Sequence, residues 1–141
     1  MEDSTRISLL ISQALGLYRL RINALLIQNE LDLTSEMCAV LRLIWKKEGQ
    51  KQRELASQLY KDKGSITKII DNLEKRKLVE RISDETDARN KNIRLTSSGR
   101  ALEKRVLPLL DSFLNEITAS IEAQELEITR RVLQEIIGKL S

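Results

Sequence analysis

Apolar residues return at three- and four-residue steps through Ile7, Leu10, Ile11, Ala14, Tyr18, Ile22, Leu25 and Leu26, the spacing of one helix face. Asp3, Ser4 and Thr5 stand in front as N-cap residues, so the pattern predicts a helix running to about Asn29. At ~1.5 Å per residue such a helix is roughly 35 to 40 Å long, which is long for a small body unless it packs on a second chain. The far end repeats the theme. Ser98 opens a second stretch in which Leu109, Leu110, Phe113, Leu114 and Ile117 carry the stripe past Pro108, where a kink near Leu107 is expected rather than a stop. A last helix from about Ala123 to Leu140 sets Leu126, Leu133, Ile136, Ile137 and Leu140 on one side. These end helices read as a dimerisation layer, although periodicity does not separate a partner chain from a closed intramolecular bundle.

Between them the periods shorten. Thr34 or Ser35 caps a scaffold helix from Glu36 to Lys47, with Val40, Leu41, Ile44 and Trp45 on its apolar side and Gly49 as its stop. Gln52 to Tyr60 places Leu55, Ala56 and Leu59 on one face, and small Ala56 lets another helix approach closely. Asp62 then caps Lys63 to Arg76, whose buried stripe is Ile66, Ile69, Ile70 and Leu73. Alternation takes over in Leu78 to Ser83 and Asn92 to Thr96, which read as two antiparallel strands joined by the polar loop from Asp84 to Lys91. Two short helices with a tight joint followed by such a hairpin make a winged helix-turn-helix. The expected fold is mainly α with a small β-hairpin wing and N- and C-terminal dimerisation helices. It forms one domain over 1–141, in which 1–30 and 98–141 are the dimerisation layer and 34–96 the DNA-binding lobe.

Charge sharpens this picture. The chain has 141 residues and a formal net charge of only +3, but the distribution is uneven. From Arg42 to Arg105 there are 18 Lys+Arg against 10 Asp+Glu, while the remainder has 6 against 11. A basic middle between acidic ends points to a polyanion at the middle. Aromatic residues are 3% of the chain, too few for the stacking platforms of single-strand or RNA binders, so duplex DNA is the expected polyanion. The single cysteine, Cys38, excludes an intrachain disulfide, and Met1-Glu2-Asp3 has no basic signal-peptide head. No apolar run approaches the ~18 residues of a membrane span. The expected compartment is the cytoplasm, and no membrane partner is expected.

In the Lys63 helix, Gly64, Lys68, Asp71 and Lys75 point away from the apolar stripe, with Ser65, Thr67 and Asn72 at its flanks. A recognition helix usually enters the major groove by its N-terminal end, which selects Gly64, Ser65, Thr67 and Lys68 as DNA-binding residues. Glycine lets the backbone come close, the hydroxyls bond phosphate or base, and Lys68 reaches guanine acceptors or the backbone. Asp71 would be repelled by phosphate unless paired with a lysine such as Lys68 or Lys75. Arg89 at the wing tip suits a narrow A·T-rich minor groove, with Lys91 and Arg94 on phosphates. Asp87 is expected to shape the wing, and Asp84, Glu85 and Asp87 to pair or cap within the loop rather than to bind metal. With 0 His, no Gly-rich phosphate loop and no carboxylate pair on a concave site, no enzyme, catalytic residue, metal or cofactor is expected.

The order of elements and the wing sequence together resemble the MarR (multiple antibiotic resistance regulator) family of transcription factors over nearly the whole chain. The resemblance is carried by Leu33-Thr34, Leu55-Ala56 with Leu59, Ile66, Thr67, Leu73-Glu74 and Leu78-Val79, then Asp84, Asp87, Arg89, Lys91 and Leu95-Thr96 with Gly99. It implies a homodimer whose two reading heads address a pseudo-palindromic operator with centres ~34 Å apart. It also implies a repressor responding to a small-molecule or oxidative signal, with the effector-binding residues unknown. Trp45 and Tyr18 are more readily core residues than the lining of an effector cleft. Three positions depart from the family pattern. Ala88 stands where a second wing arginine is frequent. Lys77 stands where glycine is common, so it must accept ~1 kcal/mol of left-handed strain or find another cap. Cys38 replaces a frequent aromatic, and its simplest role is a small buried apolar residue. The competing function is a winged-helix module that binds protein, which would show little salt dependence.

Overall fold

The computed structural model describes residues 2–87 and 89–141; Met1 and the wing position Ala88 lie outside them. Among the described residues, six helices and three short strands follow in the order α1 (Asp3–Gln28), α2 (Ser35–Lys46), β1 (Gln50–Lys51), α3 (Gln52–Gln58), α4 (Lys63–Lys75), β2 (Val79–Ser83), β3 (Lys91–Leu95), α5 (Ser97–Thr118) and α6 (Ala123–Leu140). The predicted helices and hairpin are present within a few residues. One strand is new. β1 pairs antiparallel with β3 through Gln50 and Ile93, giving the sheet order β1-β3-β2. A two-residue strand carries no alternation to read, and pairing alone reveals it.

Local chemistry sets the boundaries. Thr34 accepts the Met37 N–H at 3.2 Å and Asp62 the Ser65 N–H at 2.7 Å, so both expected caps form. Two caps differ from expectation. Asp3 is already helical behind Glu2, whose side chain makes no cap bond, and α5 starts one residue early because Thr96 accepts the Gly99 N–H at 3.1 Å. Past Pro108 the helix α5 continues, as expected of a residue that removes one rung without ending the ladder. Lys77 takes the left-handed conformation at φ 57°, with Leu78 N–H on Leu73 O and Lys77 N–H on Glu74 O. This is a Schellman end built without glycine. Glu30 and Tyr60 end α1 and α3 in the same way.

The buried core lies under the head. Ile22 and Leu26 of α1, Val40, Leu41 and Ile44 of α2, Leu55 of α3, Ile66, Ile70 and Leu73 of α4, Val79 and Ile93 of the sheet and Val106 and Leu110 of α5 form one cluster. Trp45 packs against it and donates its indole N–H to Gly99 O at 2.9 Å, tying α2 to α5. The ends are different. Ile7, Leu10, Leu17, Leu20 and Ile27 on α1 and Ile128, Val132, Leu133, Ile137 and Leu140 on α6 are exposed in the single protomer, and α6 buries none of its described residues. Helix α1 even carries two apolar stripes. One leads through Ile22 and Leu26 into the core, while Leu9, Leu17, Leu20 and Ile27 occupy the opposite side, with Leu20 at 66% and Ile27 at 73% exposure.

Candidate nucleic-acid interface

Helix α4 divides into three sectors. Ile66, Ile69, Ile70 and Leu73 are buried. Thr67, Asp71 and Glu74, at steps of four and three, face the sheet and share bonds with Arg81 of β2. Gly64 and Lys68 remain exposed on the third sector, with Lys75 about two turns further on. The expectation for Asp71 changes accordingly: its carboxylate pairs with Arg81 at 2.8 Å, not with a lysine of its own helix. Thr67 is also differently employed. Its hydroxyl donates to Lys63 O at 2.7 Å and accepts from Gln52 Nε2 at 2.8 Å, which leaves no free proton for DNA.

Ser65 stays at the entry of the helix, its hydroxyl donating to Asp62 Oδ2 at 3.0 Å. These two Ser65 bonds hold the Asp62 carboxyl below its ordinary value, so the cap stays ionised at neutral pH. Gly64 is open. A Cβ added there would meet only Asp62 Oδ1, at 3.4 Å, so the fold itself makes no use of the missing side chain.

The wing is organised by its own carboxylates. Asp87 Oδ1 accepts the Arg89 N–H at 3.0 Å and lies 3.4 Å from Arg89 Nε, and Asp87 O accepts the Asn90 N–H. Asp84 accepts both the N–H and the hydroxyl of Thr86, which lowers its pKa. Both carboxylates bond within the loop, and the Arg89 side chain is 93% exposed. Lys91 reaches Ser83 Oγ at 2.8 Å. The sheet register separates the last two expected contacts. Lys91 pairs with Ser83 on the face that also carries Arg81, whereas Arg94 pairs with Glu80 on the other. Arg94 therefore sits with Glu48 and Arg100, away from α4.

Between the start of α3, the start of α4 and the wing runs a groove of about 500 Å³. Lys51, Arg53, Lys61, Lys63, Arg89 and Lys91 line it, and no carboxylate belongs to its described lining. Among the described residues three of these cations have carboxylates in reach: Lys61 from Glu36 at 3.4 Å, Arg89 from Asp87 at 3.4 Å and Lys51 from Asp84 at 4.0 Å. Sequence reasoning found Arg89 and Lys91 but missed the other four. Their signal was the basic excess of the middle segment, which names a region and not a surface.

Several known proteins are similar to the chain. The family model described as MarR matches residues 33–91. Transcriptional regulator HosA of Escherichia coli O127:H6 is 30% identical over 112 residues, which cover 79% of this chain and 83% of HosA. The chain belongs to the MarR family. Among solved structures, the Staphylococcus aureus MepR–DNA complex superposes with a TM-score of 0.87 at 25% identity, covering 96% of this chain and 98% of that one. A MarR-family regulator from Rhodococcus sp. RHA1 gives 0.82 at 29% identity, covering 96% and 95%. The MarR model spans α2, both helices of the reading motif and the wing up to Lys91, so it contains the whole cationic groove.

Proposed function

We propose that this MarR-family transcriptional regulator binds duplex DNA as a homodimer at a pseudo-palindromic operator, with the α4 entry in the major groove and the Arg89 wing in the adjacent minor groove. The observation that carries the proposal is the groove between them. Six cations without a lining carboxylate join the free sector of α4 to the wing, and a phosphodiester strand is the polyanion that passes between a major-groove helix and a minor-groove finger. Gly64, Ser65 and Lys68 would face bases or phosphates, Arg89 the minor groove, and Lys91 with Lys51, Arg53 and Lys63 the backbone. Thr67 moves to a supporting role and Arg94 drops out of the contact set. MepR, whose fold the chain shares, is known in complex with DNA.

The dimer follows from surface the protomer cannot cover. A helix that is apolar on opposite sides belongs inside a larger body, and α1 is such a helix; α6 carries an uncovered apolar stripe of its own. Repression follows as the simplest consequence of occupying an operator, in a cytoplasmic setting. No helix is long and apolar enough to cross a membrane among the described residues. We assign no catalytic role. A small-molecule signal fits better than an oxidative one, because Cys38 is buried and burial pushes its thiol up to about 11.

The test is fluorescence anisotropy with duplexes enriched by the protein from a random pool. If four cations per protomer reach phosphates, log K should fall against log salt with a slope of about −7 for the dimer. Lys68→Ala should weaken specific binding and leave dimerisation intact. Arg89→Ala should lose affinity chiefly at sites with A·T-rich flanks. A flat salt response, with both variants binding like the parent, would favour a protein-binding module instead.

A further inference from the structure

Arg81 lies in β2 with its side chain 18% exposed, and its side-chain bonds run to two helices, α3 and α4. Its Nη2 is 2.8 Å from Asp71 Oδ1 and its Nη1 2.9 Å from Glu74 Oε1. Nε donates to Gln52 Oε1 at 3.2 Å, and Nη2 also reaches Thr67 O at 3.4 Å. The backbone N–H of Arg81 adds a bond to Glu74 Oε2 at 3.2 Å. Gln52 closes the circuit by donating to the Thr67 hydroxyl, which in turn donates to Lys63 O.

The network therefore grips one flank of α4 for about three turns, from Lys63 to Glu74, and fastens it to the first residue of α3 and to the strand that leads into the wing. A planar guanidinium with fixed donors holds direction as well as distance. It also neutralises carboxylates that would otherwise stand beside an incoming phosphate strand. Single buried apolar contacts along the opposite stripe fix depth but let a helix roll, because apolar packing has no preferred direction. Roll is the coordinate that decides which base Lys68 meets.

We infer that Arg81, with Thr67 and Gln52, is a positioning residue that sets the rotation of the recognition helix relative to the wing and so governs sequence discrimination. This rests on the DNA-binding function proposed above. Arg81 makes no DNA contact in this scheme. Its loss should cost the ratio between the right and wrong sequence, not general attraction for DNA.

The test uses the full chain and two duplexes of equal length and composition, one enriched by the wild-type protein from a random pool and one scrambled. Arg81→Lys keeps a charge but loses the fork, and Thr67→Val keeps the volume but removes the hydroxyl node. Each should lower affinity for the enriched duplex about tenfold while changing the scrambled duplex less than about twofold, the scale of one displaced base contact. The salt slope on the scrambled duplex should stay that of the parent. Circular dichroism should show folded protein for Thr67→Val, which carries the test should Arg81→Lys unfold. Equal losses on both duplexes with a reduced salt slope would make Arg81 a phosphate contact, and an unchanged ratio in the folded variants would make the network merely structural. Either result overturns the inference while leaving DNA binding intact. Failure of the wild type to enrich any sequence would instead overturn the functional proposal, and this one with it.

Discussion

Gly99 offers the sharpest measurement of how the reading head is joined to the terminal helices. A Cβ placed on it would stand 2.1 Å from the Leu78 carbonyl oxygen, 3.1 Å from that carbonyl carbon and 3.2 Å from Leu95 Cδ2. The obstacle is backbone, and it is pinned. Leu78 O already accepts the Thr96 N–H at 3.0 Å, and the Thr96 hydroxyl donates to Lys77 O at 2.6 Å. To recover an ordinary C···O separation, the start of α5 must retreat by about 1 Å in Gly99→Ala. That retreat strains the Trp45 bond to Gly99 O and the Thr96 bond to Leu78 O, each worth about 1 kcal/mol.

Overpacking adds about 1 to 3 kcal/mol, and the better helix propensity of alanine returns about 1. The net is a loss of about 3 kcal/mol, or roughly 10 °C in Tm for a domain of this size. Thermal unfolding followed by far-UV circular dichroism measures it, at matched protein concentration because a dimer's Tm depends on it. The same scan has a local reporter, since Trp45 is the only tryptophan and its indole N–H sits on Gly99 O. A Tm within about 2 °C of the parent, with unchanged Trp45 emission, would refute the close-approach argument.

Three further outcomes follow from individual residues. Lys77→Gly should raise stability by about 1 kcal/mol, because φ 57° is free for glycine and strained for lysine; urea titration showing no gain would mean the Schellman end already absorbs the cost. Gly64→Ala should leave stability equal or higher, since nothing but Asp62 Oδ1 at 3.4 Å meets the new carbon, yet weaken DNA binding; intact binding would show that the helix backbone does not approach DNA there. Cys38 should react with iodoacetamide roughly 100-fold more slowly in the native protein than in denaturant. A thiol whose folded pKa is raised from 9.0 to about 11 also contributes stability that is complete below pH 9 and lost as pH rises through 11. A native labelling rate matching the denatured one would place Cys38 at the surface.

What the sequence revealed was whatever is local in the chain. Asp62 and Ser65 are three residues apart and Asp87 and Arg89 two, so cap and wing geometry follow from neighbours. The strain at Lys77 was legible for the same reason, as was the tie between helix periodicity and the buried stripe of α4. The placements it did not reveal share a cause too. Thr67 lies on the flank of its helix by angle alone, and only Gln52, fifteen residues earlier, and Arg81, fourteen later, decide what that flank touches. Arg94 was grouped with Lys91 by proximity in sequence, but odd and even positions of a strand face opposite ways, and the register puts it beside Glu80.

The same division explains why the site is smaller and more rigid than its residue list. One helix face goes to the core and one flank to Arg81, so in the binding mode proposed above α4 keeps a narrow sector for DNA in which Gly64, Lys68 and Lys75 are the exposed positions. So few side chains can distinguish only a few base pairs by direct bonds at ~1 to 3 kcal/mol each. The remaining specificity must come from geometry. It can reside in the fixed angle between helix and wing and in the fit of a single exposed arginine to minor-groove width, both of which read DNA shape. An operator for this regulator should therefore tolerate base changes between the helix and wing contacts when groove width is preserved, and should fail when stiffness or width there is altered at constant contacts.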